Sequence, residues 1–291
     1  MHLPKEFWEI YESKLKSLNL YEEACAGSKD SKIHGGQTPA DTNKHFTHRF
    51  PNSALRVQVA ITDPQEILQS IPDQIRATFA NGHVKVLDLA CGTGAGSISL
   101  LISLHVLRQA RIVPTLPLNI AILGADYSAH ALQIFSDLIV DLADVLATSG
   151  INVSLHTLGW DASEIPQTDD LCTYWFKDKS DGEERFVLIS NISGSKESGF
   201  KEIFEKSIDH VAARISNCTS TLLWVEPDGP GAIHFLKKIY QDLISKWSWF
   251  AKRHVEISLS TSFQWHHKFL GKNLRGGVSL AQYKRASNDQ N

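Results

Sequence analysis

"VLDLACGTGAGS", residues 86–97, is the stretch on which the reading of this chain turns. It follows "HVK" (83–85), so an apolar run ends in an acid, Asp88, and meets a turn of small residues holding Gly92, Gly94 and Gly96. A second apolar run, "GSISLLISLHVLRQA" (96–110), comes next. Apolar strand, glycine turn and apolar helix together open an α/β unit. Glycines allow a tight turn and let a ligand approach the backbone, and the following helix start offers N–H groups without partners. In an open parallel sheet, ligands bind beyond the carboxyl ends of the strands, near the switch in strand order. An acid at such an end orients the loop or accepts a hydrogen bond from a cationic ligand.

The same rhythm continues downstream. "VKVLDLA" (84–90) reads as strand one, "NIAILGAD" (119–126) as strand two, "INVSLHTL" (151–158) as strand three, "ERFVLISN" (184–191) as strand four and "STLLWVEP" (220–227) as strand five. Helices are expected over 96–110, 129–150, 197–216 and 231–247, and two late β-like runs cover 253–260 and 277–285. Strands apolar on both faces and separated by helix-length segments predict an α/β fold with a doubly wound, mostly parallel, seven-stranded sheet. Residues 1–82 are expected to form a helical extension and 83–291 the ligand-binding domain. In that extension, Phe7, Trp8, Tyr11, Leu15 and Leu18 mark an amphipathic helix. Residues 27–53 are polar and rich in Gly and Pro, which predicts a long functional loop or lid. Asp63 is expected to cap a helix over 62–82, with Ile71-Pro72 breaking or kinking it.

Composition narrows the class. The chain has 291 residues, 42% of them hydrophobic, enough for a sizeable core. No apolar stretch reaches the roughly 18–20 residues that span a bilayer, and the N-terminus lacks the form of a signal peptide. Cys25, Cys91, Cys172 and Cys218 are isolated and His266-His267 lacks the spacing of a helical zinc site, so a reduced cytoplasmic protein without a structural metal is expected. The net charge of −3 hides an asymmetry, because ten Lys/Arg face three Asp/Glu from Gly231 to the end. A basic C-terminal third suits a polyanion such as RNA, or is a solvated surface.

Three ligand classes compete for the turn. A P-loop requires a lysine after the glycines, and none is present. A nicotinamide site has GxGxxG, whereas this turn has GxGxG four residues after Asp88, and a pyrophosphate disfavours that carboxylate. A positively charged sulfonium tolerates it. The stretch resembles the first motif of the class I S-adenosylmethionine-dependent methyltransferases, with Asp88, Ala90, Gly92 and Gly94 in register and Ala90 standing for the first glycine. The resemblance covers residues 84–226 and implies a Rossmann-like methyltransferase fold with S-adenosylmethionine as cofactor. It implies that Asp126 at the end of strand two binds the ribose hydroxyls, beside Tyr127. It also implies that Asp161 after strand three receives the adenine amino group, beside Ala162 and with Trp160 as a wall.

The acceptor side is less marked. In such enzymes the segment after strand four lines the transfer site. Here it is "LISNISGS" (188–195), with Asn191 but without the Pro-Pro-aromatic sequence common to base-amine methylation. Asn191 accepts a hydrogen bond from an amine acceptor or simply ends the strand. Glu226, in "WVEPDGPG" (224–231), orients the acceptor or is a turn carboxylate. That segment also resembles a methyltransferase-like family of mitochondrial small ribosomal subunits, whose cysteine cluster is missing here. "HFTHRFPNSALR" (45–56) supplies His48 as a candidate base and Arg49 as a candidate partner of the cofactor carboxylate. The expected activity is methyl transfer to a small molecule. RNA or protein acceptors, or a non-catalytic assembly role, are the alternatives.

Overall fold

The computed structural model describes residues 3–27, 33, 38–80, 82–177, 183–192, 203–215, 218–227, 255–267 and 272–283. The helix expected over 231–247 and the Ser193-Gly194 segment lie outside them. Seven described strands are present: β1 (Gly82–Leu89), β2 (Leu118–Asp126), β3 (Ile151–Gly159), β4 (Glu184–Ser190), β5 (Ser220–Pro227), β6 (Val255–His267) and β7 (Lys272–Tyr283). They form one sheet in the order β3-β2-β1-β4-β5-β7-β6. The first five strands pair in parallel. β7 runs antiparallel to both β5 and β6. The sheet is therefore mixed rather than uniformly parallel. So short a link between β6 and β7 leaves no room for the crossover that a parallel pair needs. The order reverses between β1 and β4, which fixes the cleft beyond the carboxyl end of β1.

Each sheet face has its own core because successive strand side chains alternate. Val84 and Val86 of β1, Ile120 and Ile122 of β2, and Phe186 and Leu188 of β4 face one layer. That layer holds α1 (Lys5–Ser17), α3 (Pro39–Thr62), α4 (Ile71–Thr78), α5 (Ala95–Gln109) and α6 (Ala129–Ala147). Leu87, Leu123, Val187 and Trp224 face the other, built by α7 (Ile165–Phe176) and α8 (Glu205–Ile215). α2 (Tyr21–Ala26) packs at the rim of the first layer. The residues expected to form an extension share this first core: Phe7, Phe46, Phe50 and Ala54 are fully or almost fully buried with Val84 and Val86.

The stretch expected to be a loop over 27–53 is helical from Pro39 onward. Thr38 caps α3 by accepting from the Asp41 N–H, and Pro39 suits the first turn. Pro51 sits inside the helix, where its missing N–H strands the Thr47 carbonyl four residues earlier. The Tyr11 hydroxyl donates to that carbonyl at 2.7 Å, so α1 satisfies the acceptor that Pro51 leaves open. Asp63 ends α3 in the left-handed region at φ 39° instead of starting the next helix. Its carboxylate accepts from the N–H groups of Ile67 and Leu68. Ile71-Pro72 opens α4 instead of breaking it, since a proline in the first turn lacks only a free N–H.

Candidate functional site

The turn after β1 is built from three left-handed residues. Ala90 and Gly92 both have φ 53° and Gly94 has φ 82°. The alanine therefore occupies a conformation that costs an L-residue about 1–2 kcal/mol, a strain typical of ligand clamps. The glycines serve different ends. A Cβ on Gly94 would stand 2.0 Å from the Phe135 ring, so only glycine lets α6 pack there. A Cβ on Gly96 would stand 2.6 Å from Ser190 Oγ, so glycine brings α5 against β4. A Cβ on Gly92 would meet nothing within 4 Å, which leaves open space beside the turn. α5 starts at this turn with no side-chain cap from Gly94, and the Ser97 N–H of its first turn reaches the Asp88 carboxylate.

Two carboxylates frame the turn. Asp88 is fully buried, and its Oδ2 accepts from Ser97 Oγ at 2.6 Å. Its Oδ1 is buried with no partner. Burial pushes its carboxyl up to about 7, against the downward pull of Ser97 and with a further upward push from Asp126. Asp126 accepts from the Gly92 N–H through Oδ2 and from the Ser128 N–H through Oδ1, each at 2.9 Å. It thus ties the β1 turn to the end of β2, and burial raises its carboxyl too. The Tyr127 N–H reaches the same carboxylate, which keeps one acceptor site for a ligand hydroxyl. Asp88, Ala90, Gly92, Gly94 and Asp126 are therefore brought together.

The other positions differ. Tyr127 is half-exposed, and its hydroxyl is raised by burial and by Asp126, Asp161 and Asp41, which makes this rim acidic. Trp160 is no exposed wall: its ring is buried in the second core and its Nε1 donates to Thr168 Oγ1 at 3.0 Å. Its backbone N–H still joins the Asp126 carbonyl at 3.0 Å, so the ends of β2 and β3 meet. Asp161 is half-buried and accepts from the N–H and hydroxyl of Ser163, which lowers its carboxyl. Ala162 is buried, with its carbonyl accepting from Ser207.

Asn191 follows β4 in the left-handed region at φ 58°. Its side chain is held by α3, accepting from Arg56 Nη1 at 3.2 Å and donating to the Ser53 carbonyl at 3.3 Å. Glu226 is buried at 1% exposure, and its Oε1 accepts from Trp224 Nε1 and the Ile192 N–H. It lies on the same face of β5 as Leu222 and Trp224, and its bond to Ile192 ties β5 to the segment beyond β4. Arg56 lies close enough to Glu226 to feel its charge, and burial lowers its guanidinium to about 10. Arg56 belongs to the stretch 45–56 from which the sequence offered Arg49 as the candidate, and it lies two helical turns after Arg49 on α3. His48 and Arg49 line a separate cavity between α1, α2 and α3.

α3 bridges both lips of the cleft. Its start contacts the start of α6 through Thr42–Ser128 at 3.1 Å and Asn43–His130 at 2.8 Å. Its middle holds Asn191 beyond β4. Because β1 lies between β2 and β4, the helix passes the β1 turn.

No protein-family model and no curated protein matches the chain. Among solved structures, a SAM-dependent methyltransferase from Aquifex aeolicus is 13% identical, with 84% of this chain and 99% of that chain covered and a TM-score of 0.37. The precorrin-6y C5,15-methyltransferase of Geobacter metallireducens is 13% identical, with 74% and 89% covered and a TM-score of 0.34. The chain resembles the class I S-adenosylmethionine-dependent methyltransferases. That likeness concerns the fold alone. Among the described residues no helix is long and apolar enough to cross a membrane.

Proposed function

We propose that this chain is an S-adenosylmethionine-dependent methyltransferase acting on a small-molecule acceptor. The observation that carries the proposal is the unpartnered, buried Oδ1 of Asp88 beside a left-handed turn with open space at Gly92. A buried acceptor without a partner costs about 1–3 kcal/mol, a cost that a cationic ligand removes. The residues fit the cofactor's chemistry. Asp88 offers an acceptor to a cation or ammonium, the start of α5 offers N–H groups to a carboxylate, and Asp126 offers an acceptor site to a ribose hydroxyl. The acidic rim of Asp41, Asp126 and Asp161 suits a ligand rich in donors. When bound, the cofactor would supply a methyl carbon on a positively charged sulfur. The chain's task is then to hold an acceptor in line and exclude water, with α3 covering the cleft and Asn191 fixed at its acceptor side.

Calorimetry with S-adenosylmethionine tests the reading. Micromolar binding is expected, lost in Gly94→Val, where the new side chain collides with Phe135. Asp126→Ala should weaken binding by about 1–3 kcal/mol. Absence of heat with the unaltered protein removes the proposal.

One observation favours a non-catalytic reading: Asn191 spends both ends of its amide on α3, and Glu226 is committed to Trp224 and Ile192. Labelled methyl transfer into small-molecule, RNA and protein pools separates the cases. Label in the small-molecule pool supports the proposal. Label in RNA would favour the basic C-terminal third as the acceptor surface. Of Lys268, Lys272 and Arg275, the side chain of Arg275 alone falls among the described residues, where it is exposed on β7. Cofactor binding without transfer to any pool would favour the non-catalytic role.

A further inference from the structure

The cavity between α1, α2 and α3 has a volume of about 400 Å³, within the range of about 300–1,000 Å³ typical of small-molecule sites. Asp88, Ala90, Gly92, Gly94 and Asp126 are not among the residues that line it. Its walls include the rings of Trp8, Tyr11 and Tyr21. Tyr11 presents only its ring, because its hydroxyl is committed to the Phe46 and Thr47 carbonyls. That ring packs in a cluster with Phe7 and Phe50, whose centroids lie 6.1 and 5.5 Å away and 5.5 Å from each other. Glu12 also lines the space, but its carboxylate is paired with Lys16 at 2.6 Å.

The polar complement is a histidine. His48 lines the cavity with only 8% of its side chain exposed, and its Nε2 lies 3.0 Å from Glu23 Oε1. Glu23 holds the ring through that contact. The other ring nitrogen, Nδ1, has no hydrogen-bond partner among the described residues. A carboxylate-held imidazole with its second nitrogen unused is the arrangement of a general base. Arg49, the next residue, adds positive charge to the same wall. Planar apolar walls, a base and a cation together select a flat apolar molecule that carries an acidic proton.

We propose that this cavity is a second binding site, for a small planar aromatic molecule with an ionisable hydroxyl, in which His48 held by Glu23 accepts the hydroxyl proton. The O–H bond breaks, its electron pair stays on the aryl oxygen, and the proton forms an N–H bond at Nδ1. The resulting imidazolium faces Glu23, and the aryloxide lies on the side of Arg49. No oxidant or other reactant is required. The site stands whether or not the chain transfers methyl groups.

The probe is 2-naphthol, titrated into the full-length protein at a pH where the free probe is neutral, and followed by its own absorption and emission. Saturable binding is expected, with part of the bound probe showing the naphtholate absorption band. Trp8→Ala and Tyr21→Ala should each weaken binding at least tenfold. His48→Gln should retain binding but lose the naphtholate band, and Glu23→Gln should reduce that band. Circular dichroism of each variant checks that it folds, and calorimetry with S-adenosylmethionine, run in parallel, reads the strand-end cleft separately. No saturable binding, or equal binding by both aromatic variants in folded form, would overturn the site. A naphtholate band that survives His48→Gln would overturn the role of His48.

Discussion

Asp88 is a buried acid whose oxygen Oδ1 has no partner, so it costs the fold stability. Burial lifts its carboxyl from the ordinary 3.8 to about 7, while Ser97 pulls it down and Asp126 pushes it further up. Below pH 3.8 the group is neutral in both folded and unfolded chains and costs nothing. As pH rises from there to about 7, the unfolded chain releases its proton while the folded one resists, so stability falls. Above about 7 the loss is constant. Asn at this position keeps an acceptor for Ser97 and removes the charge. Asp88→Asn should therefore gain about 1–3 kcal/mol at pH 8 and nothing at pH 3.5. Its affinity for S-adenosylmethionine should fall at least tenfold. Thermal melts at the two pH values, with calorimetry beside them, check both halves. A variant less stable at pH 8, or one that binds the cofactor as tightly as the parent, would show that Asp88 serves only the fold. The sequence displayed this acid and the small residues after it. It did not display the left-handed backbone at Ala90, because a small side chain there is equally compatible with an ordinary turn.

At the scale of elements, sequence and structure part where a helix is polar on its outer faces. α3 was hidden by Lys44, Asn52 and an internal proline, yet Phe46, Phe50, Ala54, Val57 and Ile61 recur at helical spacing and are buried to 1% or less. The proline outweighed that period in the reading, and its compensation comes from Tyr11, 40 residues earlier in the chain, which no local pattern encodes. α7 went unassigned for a related reason. Thr168, Leu171, Cys172 and Trp175 form a narrow buried stripe in an otherwise polar segment. The five parallel strands were legible to within about two residues at each end, whereas β6 and β7, expected over 253–260 and 277–285, run Val255–His267 and Lys272–Tyr283. Arg108 shows how the elements are tied at the other end of the sheet. It is fully buried, and its guanidinium donates to the carbonyls of Leu116, Ser149, Phe79 and Ala80 at 2.7–3.3 Å. These lie before β1, before β2 and before β3, so one side chain closes three loop ends. Arg108→Met keeps most of the volume and leaves four carbonyls without this donor. A loss of about 3–5 kcal/mol in urea unfolding is expected. A loss below about 1 kcal/mol would mean that solvent replaces the guanidinium at those carbonyls.

Across the whole molecule, the location of the site was more legible than its inward-facing members. Strand ends follow from topology once strands and helices alternate, so Asp88 could be picked from the sequence, while Asp126 was implied by the resemblance. The direction of a side chain at a strand end depends on the register of that strand. Glu226 lies on the face of β5 that carries Leu222 and Trp224, and the ring of Trp160 turns to the second core with Thr168. Neither direction can be read from residue type. The division at residue 82 is the other large-scale lesson. Helical composition before it and alternating elements after it suggested a domain with an extension, and the first-layer core joins Phe7, Phe46, Phe50 and Ile75 to Val84, Leu104, Ile120 and Val225. Removal of residues 1–82 would strip α1, α3 and α4 from that face and expose the inner side of α5 and of β1, β4 and β5. At about 25 cal/mol per Å² of apolar surface, exposing even 500 Å² costs on the order of 12 kcal/mol, comparable with the whole stability of a domain. Residues 83–291 expressed alone should therefore bind a hydrophobic dye, lack a cooperative melt and fail to bind S-adenosylmethionine. The removed residues include Arg56, which holds Asn191, and Thr42, which contacts Ser128, so the cleft would lose both of its bridges as well. A truncated chain that melts cooperatively and still binds the cofactor would restore the division at residue 82 and make α3 a detachable cover.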